Sequence, residues 1–282
     1  MLEISNTKDK VFIDIFDNIH DLTTFLKKPR KSGRDNSSES ESYDFTGTHS
    51  YSEALDLMMY GDEETFKKVI EEKNKIKIDG FLGNVANRQR YENNVYGCVP
   101  NIPSYLMGYP IDMINSVKDQ PSHKIVNIFL DMSCNAGIGK EDIINAGVKY
   151  LSVIDLLEKK GYRCNLYAGV SSKYGYSDYE AYYMLVKVKT DREPLNIKKI
   201  CFTIANPSFL RRIYFRWAEV FDFESDITGG YGSNLDSDKV KSLFNNNVKD
   251  SFIVWCYQDD GAQRCSVEEL IKKLKESGIT LD

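Results

Sequence analysis

The residues best placed to do chemistry in this 282-residue chain are Asp131, Ser133 and Asn135, in the stretch IFLDMSCNAGIGKED at 128–142. Three oxygen-bearing side chains alternate just after an apolar run that reads as a strand, and a glycine-bearing turn and a helix follow. In open α/β sheets, ligands bind at the carboxyl ends of parallel strands. Hard cations such as magnesium take oxygen ligands in such places, often one or two carboxylates with water filling the rest. Two further pieces have the chemistry to join this one. Asp259 and Asp260 follow the apolar run 251–257, and Thr228 opens a glycine pair. The same residue types also serve as plain turn and N-cap groups that accept from local amides and hold no ligand.

Other chemistries fit less well. The GIGK at 137–140 ends like a phosphate-binding loop, but that pattern needs glycine where Cys134 stands and serine or threonine where Glu141 stands. Glu141 would also set a negative charge against the phosphates. His20, His49 and His123 are far apart, and none sits beside a second obvious ligand, which gives little support to a histidine-based triad. The six cysteines contain no CxxC pair, so the expectation is reduced thiols in a cytosolic core and no zinc ribbon. A formal net charge of −5 argues against generic nucleic-acid binding. Arg211, Arg212 and Arg216 lie among aromatics in NPSFLRRIYFRWAEV at 206–220, where stacking on nucleic acid is conceivable. The expected arrangement is instead aromatics in the core and arginines in solvent. The N-terminal stretch has no apolar signal region and no run reaches transmembrane length, so a cytoplasmic protein with no membrane partner is expected.

The elements that must position these residues follow from pattern and punctuation. Residues 11–16 read as a strand and 18–27 as a helix stopped by Pro29. Residues 31–45 have almost no apolar content and read as a flexible acidic, serine-rich linker. Two helices broken at Gly61 follow, with Asp62 as N-cap. The glycine- and proline-rich stretch 77–119 is expected to wind, packed, over the core outside the sheet. Beyond it come a strand at 124–130, a largely buried helix at 141–160 and strands at 162–168 and 183–190. A short apolar run at 199–204 precedes a helix with Asn206 as N-cap and Pro207 at its first position. A strand at 251–257 and a helix at 266–277, opened by a Ser266–Glu269 capping box, complete the chain. The expected fold is α/β, a mostly parallel central sheet with helices on both faces, plus an N-terminal mainly helical and irregular region. Four parts are expected: a strand-helix segment at 1–30, the linker at 31–45, a helical and irregular region at 46–120 packing on the core, and an α/β domain at 121–282.

Three motifs in this order resemble the von Willebrand factor A-like fold. DMSCN at 131–135 resembles its DxSxS element, ITGG at 227–230 the loop carrying its threonine, and YQDDG at 257–261 its TDG element. The strand, buried helix and hairpin also follow in that family's order, and the likeness covers 124–282. It implies that Asp131, Ser133, Asn135, Thr228 and Asp260 take the metal-site roles. They would hold a magnesium ion whose open coordination position a partner's carboxylate fills. The segments 45–62, 96–110 and 147–167 are similar to uncharacterised proteins of bacteriophages and other mobile elements. That implies a phage or prophage origin and a place in the host cytoplasm or the virion.

The leading expectation is therefore an interaction or assembly protein that binds a host or phage protein and does no covalent chemistry. One alternative is a metal-dependent enzyme acting on phosphoesters or nucleic acid, with Asp131, Asp259 and Asp260 holding cations that activate water. Another is a virion or assembly component without metal.

Overall fold

A computed structural model describes residues 2–5, 10–75, 89–118, 124–174, 180–223, 230–247, 252–257, 266–277 and 279. Its strands in chain order are β1 (Leu2–Ser5), β2 (Lys10–Phe16), β3 (Gln89–Asn94), β4 (Val99–Pro100), β5 (Met113–Lys118), β6 (Ile125–Asp131), β7 (Arg163–Lys173), β8 (Glu180–Lys189) and β9 (Phe252–Cys256). The helices are α1 (Ile19–Leu26), α2 (Ser37–Ser40), α3 (Tyr43–Thr46), α4 (Tyr51–Tyr60), α5 (Glu63–Lys75), α6 (Ile102–Leu106), α7 (Lys140–Lys159) and α8 (Ile197–Ala205). A π-helical segment, Phe209–Tyr214, then runs into α9 (Phe215–Val220), and α10 (Ser237–Asn247) and α11 (Val267–Glu276) follow.

The main sheet has six strands in the order β1-β2-β8-β7-β6-β9. Strands β6 and β7 are parallel, as the long crossover helix α7 between them requires, and β9 is parallel to β6 on its other side. Strands β7 and β8 form an antiparallel hairpin. Strand β2 then adds parallel to β8, and β1 turns back on β2. The sheet is thus mostly parallel. Most helices cover one face, where α7 and α8 pack against Ile128, Leu130, Leu166 and Ala168. On the other face Leu243 and Phe244 of α10 pack on Phe129, Tyr183 and Val254.

Local chemistry explains the elements that carry the site. Glu141 and Asp142 lie in the first turn of α7 and Lys159 in the last, each of the sign that the helix dipole favours. Gly161, at φ +86°, lets the chain leave α7 and enter β7. A buried ion pair then ties the end of α7 to the hairpin. Lys189 Nζ lies 2.8 Å from Glu158 Oε1 and donates to the Cys164 and Thr190 carbonyls, while Glu158 also accepts from the Cys164 amide. Helix α7 meets α8 at Gly147, where a Cβ would fall 2.4 Å from the Ala205 Cα.

Several expectations need correction. Residues 31–45 are no flexible linker: they form α2 and α3 and bury Ser38, and Thr46 and Thr48 just beyond are fully buried too. Their low apolar content is offset by hydrogen bonds to buried charges, of Ser38 N and Oγ to Glu219 and of Arg212 to the Ser38 carbonyl. The α/β domain does not begin at 121, because β2 of the first segment is an interior strand of the main sheet. The short apolar run at 199–204 lies within α8, and Cys201 is buried there. The stretch 89–118 stays out of the main sheet as expected, but it forms a sheet of its own, β3-β5-β4. Its apolar residues are not packed over the core: Val99, Ile102, Leu106 and Met107 are all exposed.

Two substitutions probe this frame by urea unfolding. Gly147→Ala is expected to lose about 1–3 kcal/mol, through overpacking against Ala205. Lys189→Met is expected to lose about 2 kcal/mol, because it leaves the buried Glu158 carboxylate only the half-exposed Arg163, 3.4 Å away, as counter-charge.

Candidate functional site

Asp131 ends β6 and is 1% exposed. Strand β7 continues past Gly169, its partner in register, and so carries Ser171 alongside the carboxylate. Asp131 Oδ1 accepts from Ser133 N at 3.1 Å, Ser133 Oγ at 2.5 Å and Ser171 N at 3.0 Å, and Oδ2 accepts from Ser171 Oγ at 2.5 Å. Ser133 Oγ also lies 2.6 Å from the Ser171 carbonyl oxygen. Burial pushes the Asp131 carboxyl above its ordinary range, and the hydrogen bonds from Ser133 and Ser171 offset that only in part.

The structure brings Asp131 and Ser133 together but turns Asn135 away. Asn135 is exposed, and its Oδ1 accepts from Gly137 N at 2.9 Å, closing an Asx turn that leads into α7. Thr228, Asp259 and Asp260 lie outside the described residues. The described residues do not fit a magnesium ion as arranged. Protein donors occupy both Asp131 oxygens, the Asn135 oxygen is taken by Gly137, and among the described residues no three His, Cys, Asp or Glu cluster.

Beside this cluster a cavity of about 500 Å³ opens between the carboxyl ends of β6 and β7 and the π-helical segment. Ser171, Ser172, Cys134, Arg211, Tyr214 and Ser233 contribute to its wall, and the rings of Phe45, Phe215 and Tyr231 give it an apolar part. Tyr214 Oη donates to Ser172 Oγ at 2.6 Å and lies 2.8 Å from Tyr174 Oη. Phe215 and Tyr231 stack with centroids 3.9 Å apart. Burial pushes the Cys134 thiol up to about 11, against the pull of Arg211, so it is protonated at neutral pH and is a poor nucleophile.

Arg211 and Arg212 are 2% and 0% exposed, which corrects the expectation of solvated arginines. The segment that carries them is buried on every side, so both side chains are held inside the fold, with Arg211 at the cavity wall. Arg212 engages all three of its nitrogens. Its Nε donates to Thr48 Oγ1 at 2.8 Å, its Nη1 to the Ser38 carbonyl and its Nη2 to the Glu41 and Thr48 carbonyls. Arg211 donates to the Phe45 and Ile138 carbonyls, both at 2.6 Å, and lies over the Phe45 ring at 4.0 Å.

The family model described as "Domain of unknown function (DUF7192)" matches residues 3–277. The chain belongs to this family. No curated protein and no solved structure matches it. The matched span runs from β1 into the residues after α11 and takes in both sheets, so the N-terminal strands belong to the family unit together with the site. Among the described residues no helix is long and apolar enough to cross a membrane.

Ser171 and Arg211 are the site residues that sequence reasoning missed. Nothing in VSSKYG marks Ser171, whose role depends on β7 outrunning β6. Arg211 had a signal, an arginine pair enclosed by FL and IYF, which leaves no polar face for a solvated helix.

Because burial raises the Asp131 carboxyl, its protonated form is favoured in the fold. Its contribution to stability is full below the ordinary value of 3.8 and is lost as pH rises through the higher folded value. Asp131→Asn removes this titration and keeps an oxygen acceptor. The stability of the variant relative to the native chain is therefore expected to improve from about pH 4 to about pH 7 in urea titrations. A pH-independent difference would contradict the assignment.

Proposed function

We propose that this chain is a non-catalytic binding protein that takes a group of a partner protein into the cavity at the carboxyl edge of β6 and β7. The observation that carries this reading is the cavity itself. It lies at the sheet edge where open α/β folds bind ligands, and it combines an apolar wall with a few convergent polar groups. Its thiol is held protonated, which suits recognition better than nucleophilic attack. The likeness to phage and mobile-element proteins makes a host or phage protein the partner sought, in an interaction or assembly role.

The von Willebrand A-like reading would bridge partner and chain through magnesium on Asp131, Ser133, Asn135, Thr228 and Asp260. In the present proposal the partner's group is received directly by the cavity. Asp131 acts as the internal brace that holds Ser133 and Ser171.

The test is affinity capture from host and phage-infected lysate with the native chain and with Ala136→Trp, each with magnesium and with a chelator. Ala136 is exposed on the cavity wall, so tryptophan there fills the opening without disturbing the core. A partner retained by the native chain under both conditions and lost by the variant is the expected result. Equal retention by the variant would reject the cavity as the binding site. Retention only with magnesium would return the function to a metal bridge.

A further inference from the structure

The two neighbouring buried arginines differ in a way that packing does not explain. Arg212 makes four hydrogen bonds, all three of its nitrogens donate, and the carboxylates of Glu53 and Glu41 act on its charge. It is a satisfied structural group. A guanidinium has five N–H donors. Arg211 uses one on the Phe45 carbonyl and one on the Ile138 carbonyl, and both acceptors are neutral. Its Nε is buried with no hydrogen-bond partner. Among the described residues the ionisable neighbour that acts on its charge is the Cys134 thiol, which also takes a hydrogen bond from it and is itself protonated. Burying a cation without a counter-charge is costly, and native proteins rarely leave one so.

Arg211 lines the cavity. One face of the guanidinium is closed by the Phe45 ring, so a ligand that reaches its remaining N–H groups comes in the guanidinium plane. That is the approach a planar or forked oxyanion makes. Ser233 and Asn234 add a hydroxyl and a carboxamide to the lining, and the stacked Phe215 and Tyr231 rings offer an apolar surface in the same space.

We infer that the cavity is an oxyanion site in which Arg211 is the recognition residue, and that its ligand is a carboxylate or phosphate group carried on an apolar or aromatic body. This rests on the binding role proposed above and names the chemistry that enters. A partner's acidic side chain or a small organic acid presents the carboxylate form, and a phosphorylated group presents the other.

Benzoate and phenyl phosphate are the probes, with benzyl alcohol as the neutral control, titrated into the full chain at constant ionic strength and followed by calorimetry and thermal unfolding. Saturable binding and a raised Tm with at least one anion, and none with the alcohol, are expected. The anion that binds tells carboxylate from phosphate. Arg211→Lys keeps a positive charge but loses the fork, and is expected to weaken binding at least tenfold. Ala136→Trp, which leaves Arg211 and its carbonyl partners intact, is expected to abolish it. No binding of either anion, or binding equal in the native chain and in Ala136→Trp, would overturn the inference whether or not the Arg211 variant folds. Anion binding together with failed capture would sustain the site and reject a protein partner. Capture that depends on the cavity without anion binding would do the reverse.

Discussion

The arginine pair Arg211–Arg212, buried in a π-helical segment, is the constraint on which the surrounding structure depends. Two guanidinium groups out of water must find acceptors, and the helix that carries them offers none to spare. The segment 38–48 exists in its observed form to supply them. Its carbonyls at Ser38, Phe45 and Thr48 and its Thr48 hydroxyl converge on the two side chains. A polar stretch with too few apolar residues to fold alone is thereby ordered against the core. The Ile138 carbonyl, bound by Arg211, draws the loop after β6 into the same assembly. The widened turn of a π-helix is a common feature of functional sites, and here it faces the cavity.

Asp131 plays the matching role on the sheet side. It is a buried carboxylate that joins β6 to β7 through two serines, so it fixes the cavity floor with main-chain and side-chain donors together. Ser171, on the wall, and Asp131, beneath it, are one hydrogen-bonded unit. The site is thus built from a helix wall that carries the Arg211 cation and a sheet edge whose carboxyl group is already engaged by Ser133 and Ser171. Such an arrangement receives an anion more readily than a cation. It also explains why a motif that resembles a metal-binding element need not hold metal in this conformation.

Much of the frame was legible because it rests on local chemistry. The β6–α7–β7 crossover, the β7–β8 hairpin, the break at Gly61 with Asp62 accepting from Thr65 N as the cap, and the Ser266 capping box all follow from periodicity and punctuation within a few residues. The position of Asp131 at a strand's carboxyl end was legible for the same reason. The fate of 31–45 was not, since its order comes from acceptors and donors on Arg212 and Glu219, more than 150 residues away along the chain. Nor was the exposure of the apolar residues in 89–118, because composition alone cannot tell a packed stretch from a separate small sheet.

By itself the sequence determined an α/β chain with a mostly parallel sheet, the bounds of α7 and α11 to within a residue, and an acidic, serine-bearing turn at the carboxyl end of a strand. Period, caps and turn residues act over a turn or two of chain, and every one of them is written in the letters. The tertiary structure alone decided that β2 enters the sheet beside β8, that Ser171 occupies the Asp131 carboxylate, and that Arg211 lies buried at a cavity with no carboxylate partner among the described residues. Those outcomes depend on which distant groups share a space out of water, where an unmet charge or donor is expensive. That balance is struck only when the layers close.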